Sequence, residues 1–304
     1  MNSNAELTTA DILNEYLQEI QLTASTTEIK HVESIERVWI RPYIGTKDPS
    51  KLNDGNIQFI LDYAARQGRS KKTIMDIKAA MFKFFKWARR NQYLTYVPND
   101  VCIPRSARLK GKTILNAEDI VKLMTCENTV GGRKEEYIHA FRIQVLTGMR
   151  PGEVWGVHTD DVLGDVIHLH RSINRYGEAT LGKNENALRK IILSERAQNE
   201  ITEQMKICND ENNLFGITSQ SSYIHHWRKF SEYNSLTRVS IYELRHTFVS
   251  IACAGISTGE LKTLVGHSKS MDTYGVYMHE FTNYDQTVRN SLNRLFDTVL
   301  GETE

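Results

Sequence analysis

Three stretches of this sequence hold residue types that rarely cluster without reason: Thr147-Gly-Met-Arg-Pro-Gly-Glu-Val154, Tyr242-Glu-Leu-Arg-His-Thr-Phe248, and Leu264-Val-Gly-His-Ser268 followed by Tyr277-Met-His279. Arg150 and Arg245 carry planar, always charged forks of donors whose geometry matches phosphate oxygens. In-line attack by an oxygen nucleophile on a phosphodiester builds a pentacoordinate centre with added negative charge on its non-bridging oxygens. Two guanidiniums can hold such a centre without a metal ion. Taken singly, each arginine is as readily a partner in a structural ion pair, so the weight falls on their joint occurrence with the other motifs.

The elements that must position these groups are legible around them. Thr147 and Gly148 end a helical run that begins near Ile138. Pro151 and Glu153 can open the next helix, because proline is tolerated at the first position and a carboxylate complements the positive end of the dipole. Met149 and Arg150 are therefore held in a tight corner. Asn116, with Asp119 at the third helical position, is a plausible N-cap for the helix that follows it. From Val162 to Ser194 short apolar groups (Val166, Ile167, Leu169; Ile191, Ile192, Leu193) separated by polar, Gly-containing stretches predict two or three short antiparallel strands. Helix resumes after Glu195. The tail from Asp285 to Leu300 spaces Val288, Leu292, Leu295, Phe296 and Val299 along one face.

The first third reads as mostly helical, and Ser70 to Tyr93 shows why. Ile74, Ile77, Met81, Phe84, Phe85 and Ala88 line one face at helical spacing. Lys71, Lys78, Lys86 and Arg89 fall within about 80° of one another on the wheel, and Lys72, Lys83 and Arg90 extend the arc. An ordinary solvated helix face is the alternative, and it is weakened because only Asp76 supplies an acidic neighbour at helical spacing. Asn91 to Thr113, with Pro98, Pro104, Arg105, Arg108, Lys110 and Lys112, reads as a basic linker able to lie along phosphates.

Composition bounds the class. The chain has 304 residues, 40% apolar and 25% charged, with 18 Gly and 5 Pro, and a mean hydropathy of −0.44. Collagen-like and mostly disordered chains are thereby excluded. The net charge of +1 hides a segregation. Residues 1–65 hold 5 Lys/Arg against 10 Asp/Glu, residues 66–112 hold 13 against 2, and residues 113–304 hold 20 against 25. A field of one sign confined to a short stretch attracts a polyanion while the whole remains soluble. No apolar run approaches the roughly 20 residues of a membrane span, and the polar, acidic start lacks the form of a secretory signal. A cytoplasmic protein is expected. Cys102, Cys126, Cys208 and Cys253 include no CxxC pair and read as buried free thiols of a reducing compartment.

The three stretches, in this order and spacing, resemble the tyrosine recombinases, also called phage-type integrases, and the resemblance covers nearly the whole chain. It matches a T-G-x-R-x-x-E corner at Arg150, an H-x-x-R helix at Arg245, an L-G-H turn at His267 and a tyrosine ten residues later at Tyr277. The fold it implies is mainly α with a small antiparallel β-sheet in the C-terminal domain. The expected layout is a helical core-binding domain over residues 1–100, a basic linker over 101–113, and a mixed α/β catalytic domain over 114–304 with a C-terminal docking helix. No small arm-binding domain is expected ahead of the core-binding segment.

The implied activity is cleavage and rejoining of DNA through a 3′-phosphotyrosine, without metal, ATP or cofactor. Tyr277 would be the nucleophile. A phenol of pKa about 10 must be deprotonated or hydrogen-bonded as it attacks, and guanidiniums favour the phenolate. Tyr274 is the competitor; Tyr277-Met-His279 matches the family's Y-x-H ending. The resemblance assigns protonation of the leaving 5′-oxygen to Lys183 in a hairpin turn, with Lys190 and Arg189 of the following strand as alternatives. His267 would donate to the phosphate. The family's H-x-x-R histidine is Tyr242 here, which can donate a hydrogen bond but cannot shuttle protons near neutrality. His246 points about 100° away.

Lys71, Lys72, Lys78, Lys83, Lys86, Arg89 and Arg90 are the expected DNA contacts. The implied partners are double-stranded DNA with an inverted-repeat core site, three further copies of the chain on two duplexes (a monomer or weak oligomer when free), and an accessory DNA-bending protein. Integration or excision of a mobile element is favoured over Xer-like resolution. A type IB topoisomerase-like activity and a catalytically degenerate DNA-binding regulator, suggested by Tyr242, are the rivals. His168 and His170 have a feasible metal spacing but no evident third ligand, so no metal is expected.

Overall fold

A computed structural model describes residues 7–108, 112–126, 129–131, 133–180, 189–266 and 284–301. The chain divides into two compact units, Met1–Gly111 and Lys112–Glu304.

The first unit is helical: α1 (Thr9–Thr23), α2 (Thr26–Ile35), α3 (Arg41–Ile44), α4 (Asp54–Arg66) and α5 (Lys71–Arg90). A π-turn over Glu36–Ile40 joins α2 to α3. The starts follow from local chemistry. Thr8 and Asp11 cap α1 reciprocally, as Asn53 and Asn56 cap α4, and Ser70 accepts from the Thr73 amide ahead of α5. The six apolar positions singled out on α5 are all fully buried, packed among Ile12, Leu13, Ile57, Ile60 and Leu61. Each of the five larger side chains contributes about 1.5–3 kcal/mol by leaving water. The α5 face therefore orients the helix and leaves its cations outside.

Part of the expected linker belongs to this unit. Val101 is buried in its core, the Cys102 amide donates to Gln58 Oε1 (2.8 Å), and Lys71 N donates to Arg108 O (2.9 Å). Residues 101–108 are thus seated, not free. At the other end, Thr113 N donates to Glu243 Oε1 (3.3 Å) and Leu115 N to Thr247 Oγ1 (3.1 Å) within the second unit.

The second unit comprises α6 (Ala117–Thr125), β1 (Thr129–Val130), β2 (Arg133–Lys134), α7 (Ile138–Thr147), α8 (Pro151–Trp155), β3 (Val162–Leu163), β4 (Val166–Leu169), β5 (Ser172–Ile173), β6 (Ala179–Thr180) and β7 (Arg189–Ile192). It ends with α9 (Glu195–Ile207), α10 (Gln220–Tyr233), α11 (Ile241–Ala252), α12 (Thr258–Val265) and α13 (Tyr284–Leu300). The architecture is mainly α with small antiparallel sheets, as expected. Strands β3, β4 and β7 form one sheet in that order, with Leu169 opposite Arg189 and Val166 opposite Ile192. The short β1–β2 and β5–β6 pairs are separate.

Helix α7 is the unit's axis, buried on every side. Its polar residues are accordingly satisfied. Gln144 donates to Ile241 O (2.9 Å) and accepts from the Tyr223 hydroxyl (3.0 Å). Arg142 Nε donates to Leu123 O (2.9 Å), and His139 Nδ1 lies 2.6 Å from Glu200. The first of these links ties α7 to the start of α11, bringing two of the three motifs together. Val288, Leu292 and Phe296 of α13 are buried in this unit's own core, with Leu295 and Val299 packed beside them. The face expected to dock on a neighbouring protomer is covered within the chain.

Candidate active site

The corner after α7 is built on Gly148, whose φ of +68° places it in the left-handed region. Only glycine occupies that conformation without strain. A Cβ there would also lie 2.3 Å from the Phe248 ring of α11. The chain then turns through Met149 to Arg150, the residue that caps α8, where the Glu153 carboxylate accepts from the Arg150 amide (2.8 Å). The same carboxylate accepts from Arg150 Nη1 (2.6 Å).

Arg245, on α11, reaches back to this corner. It is 6% exposed; Nη1 donates to Gly148 O (2.8 Å) and Nη2 to Val265 O (2.5 Å). Burial, and then the nearby positive charges of Arg150 and Arg189, push its guanidinium down to about 9. It is therefore still charged at neutral pH, held in a site that is short of negative charge.

Arg150, Arg189 and Arg245 share one anchor. Arg189 Nε donates to Leu264 O (2.8 Å), Arg245 Nη2 to Val265 O and Arg150 Nη2 to Gly266 O (3.0 Å). These are consecutive carbonyls at the C-terminal end of α12, where unpaired carbonyls concentrate partial negative charge. Gly266 takes the left-handed cap (φ +62°). His267 is the next residue along the chain.

Glu153, 3% exposed, is the carboxylate that faces Arg150 and Arg189. Burial pushes its carboxyl up, but hydrogen bonds and charge from Arg189, with the charge of Arg150, hold it below the ordinary glutamate value. Arg150 (side chain 37% exposed) and Arg245 each spend two of five N–H donors on these contacts. Three donors on each have no partner among the described residues.

Tyr242 lies one turn before Arg245 on α11 and is 49% exposed. Its hydroxyl accepts from Gln220 Nε2 (3.1 Å), which leaves its own proton available to donate. His246 is half-buried. Burial, then Lys112 and Arg245, lower its pKa, so it is a neutral neighbour near pH 7. Lys190 is exposed on β7. Arg189, the other alternative for proton donor, has all three nitrogens engaged. Lys183, His267, Tyr274 and Tyr277 lie outside the described residues.

The cations of α5 divide. Lys72 pairs with Asp76 (2.5 Å), Lys83 with Glu28 (2.9 Å) and Arg90 with Glu19 (2.8 Å), while Lys78 Nζ donates to Val101 O (2.5 Å). Lys71 is half-buried. Lys86 and Arg89 are exposed and make no ion pair among the described residues. The acidic partners, absent at helical spacing, come from α1 and α2. His168 and His170 stack at 6.2 Å between centroids.

Residues 113–283 match the phage integrase family, a span that includes Arg150, Lys183, Tyr242, Arg245, His267 and Tyr277. The chain belongs to the phage integrase family of tyrosine recombinases. It is 25% identical over 236 residues to tyrosine recombinase XerC of Corynebacterium glutamicum, covering 72% of this chain and 71% of that protein. Its fold is similar to that of the Tn1549 transposon integrase in complex with circular intermediate DNA (TM-score 0.73, 18% identity, 92% of this chain and 98% of that one). It is likewise similar to a lambda integrase dimer bound to a COC′ core site (TM-score 0.69, 16% identity, 90% and 99%). A third likeness is to a lambda integrase tetramer bound to a Holliday junction (TM-score 0.68, 16% identity, 96% and 80%). The phage integrase fold is thus shared along nearly the whole chain. In it, the corner, the α11 helix and the end of α12 form one cluster.

The three-arginine anchor was missed from sequence. In the sequence Arg189 reads only as an alternative proton donor, although its place two residues before buried Ile191 on a strand gives it the same face.

Proposed function

We propose that this protein is a site-specific DNA recombinase that cleaves and rejoins duplex DNA through a 3′-phosphotyrosyl intermediate. The observation that carries the reading is the convergence of Arg150 and Arg245 on consecutive carbonyls, one residue ahead of His267, each with donors to spare. Their forks bind the non-bridging oxygens of the scissile phosphate and stabilise the charge that builds in the transition state. Tyr277 Oη attacks phosphorus and releases its proton to solvent as the new P–O bond forms. The bond to the 5′-oxygen breaks, and Lys183 supplies the proton that this oxygen needs. His267 and the Tyr242 hydroxyl donate to the phosphate, hydrogen bonding sufficing at position 242. Attack by a new 5′-hydroxyl reverses the step, with the bond energy retained in the phosphotyrosine.

On α5, Lys71, Lys86 and Arg89 contact backbone phosphates, and Lys72, Lys78, Lys83 and Arg90 exchange their present partners for phosphate. The substrate is a duplex with an inverted-repeat core site, engaged by four protomers on two duplexes with an accessory bending protein, by a chain that is monomeric or weakly associated when free. Docking of α13 between protomers then requires it to leave its own core. Likeness to the Tn1549 and lambda integrases supports integration or excision of a mobile element. The XerC relative supports resolution as the second reading. Inverted repeats about one helical turn apart in the DNA flanking the gene distinguish the two.

A nicked suicide duplex tests the mechanism. Wild type traps a covalent adduct and Tyr277→Phe traps none. Adduct retained by Tyr277→Phe and lost by Tyr274→Phe moves the nucleophile to Tyr274, and no adduct from wild type favours a DNA-binding regulator.

A further inference from the structure

Arg189 has no assigned part in the reaction above. It opens β7 opposite Leu169, its side chain is 7% exposed, and its three nitrogens are all committed. Nη1 and Nη2 donate to the two oxygens of Glu153, each at 2.9 Å, and Nε donates to Leu264 O at 2.8 Å. One planar fork thereby joins the sheet, the α8 corner and the last turn of α12. These segments lie 36 and 75 residues from Arg189 along the chain.

Its electrostatic position matters as much as its contacts. Glu153 is buried and also holds Arg150 Nη1 at 2.6 Å. A buried carboxylate needs a full set of partners, and the bidentate arginine geometry fills both of its oxygens. With Arg189 absent, Glu153 has Arg150 as its remaining cationic partner among the described residues. It would then draw that guanidinium inward, away from a phosphate. Leu264 O would lose its donor as well, loosening the helix end that runs into His267.

We propose that Arg189 is a positioning residue of this site: it holds and neutralises Glu153 so that Arg150 stays available to the phosphate, and it fixes the last turn of α12. The inference rests on the recombinase reading. Arg189 does not touch DNA and does not donate the leaving-group proton. It acts through Arg150 and through the geometry of the α12 terminus.

Single-turnover adduct formation on the suicide duplex at saturating protein, with the half-saturating protein concentration measured in parallel, tests it. Arg189→Met is expected to slow adduct formation by about tenfold to a hundredfold, the scale of a small misplacement of catalytic groups, with half-saturation nearly unchanged. Arg189→Lys, which keeps the charge but cannot fork, is expected between the two. Arg189→Met with Glu153→Gln, which removes the stranded carboxylate, is expected about threefold or more faster than Arg189→Met alone. An Arg189→Met enzyme at wild-type rate, a loss seen only as weaker half-saturation, or a double variant no faster than the single one overturns the proposal. If Arg189→Met does not fold, Arg189→Lys decides: a slower rate at unchanged half-saturation supports the role, and a wild-type rate refutes it. No adduct from wild type overturns the recombinase reading and this inference with it. A wild-type adduct with indifferent variants overturns this inference alone.

Discussion

The cations of α5 and the arginines of the second unit are the same kinds of side chain put to opposite uses. On α5 the ion-paired lysines and arginine meet carboxylates in water, where an exposed pair contributes little and salt screens it. Around the corner after α7, Arg189 and Arg245 are buried, Arg150 is half-exposed, and all three are fixed to the same helix end. Fixed donors in a poorly solvated site act strongly on charge that develops there and need no reorganisation. On the proposed reading, the difference separates attraction of a polyanion from chemistry on one of its phosphates.

The comparison breaks most visibly if the buried set is cut. Arg245→Ala is expected to lower the rate of covalent adduct formation by about a hundredfold to a thousandfold, while the salt slope of DNA binding falls by no more than the about one unit that a single lost phosphate contact gives; a drop in the salt slope without a rate loss would place Arg245 among the surface cations. Acid unfolding probes the same cluster from its negative side. The native carboxyl of Glu153 lies below its ordinary value of 4.5, so its contribution is complete above that pH and is lost as pH falls through the lowered native value. Glu153→Gln should flatten that limb of a stability–pH curve read by denaturant unfolding.

Much of this was legible in the chain. The capping box at Asn116–Asp119, the apolar face of α5 and the turn between Thr147 and Pro151 follow from residues a few positions apart, and local chemistry decides them. The motifs around Arg150 and Arg245 pointed to one cluster because their order matched a family. The partners of the α5 cations were not legible: Glu28 meets Lys83 across 55 residues and Glu19 meets Arg90 across 71, and helical spacing says nothing of neighbours on other helices. The commitment of Arg189 was hidden for the same reason, since it depends on how β7, α8 and α12 pack. The seating of residues 101–108 depends on Gln58 and on the core around Val101, which a basic, proline-bearing stretch does not reveal, so it reads as a linker.

Smaller effects sharpen the surface half of the contrast. Lys86→Ala with Arg89→Ala is expected to weaken binding to unrelated DNA sequences alike and to reduce the slope of log K against log salt by about 2; an unchanged slope would remove this face from the DNA. Glu28→Gln, which releases Lys83, should change stability by no more than about 0.5 kcal/mol in a urea titration and should tighten DNA binding slightly.

The most direct measurement is a structure of the Tyr277→Phe protein bound to its core duplex. The account predicts a single scissile phosphate with oxygens about 3 Å from both Arg150 and Arg245, beside the end of α12. A scissile phosphate bound elsewhere, with the two guanidiniums still spent only on protein, would contradict it.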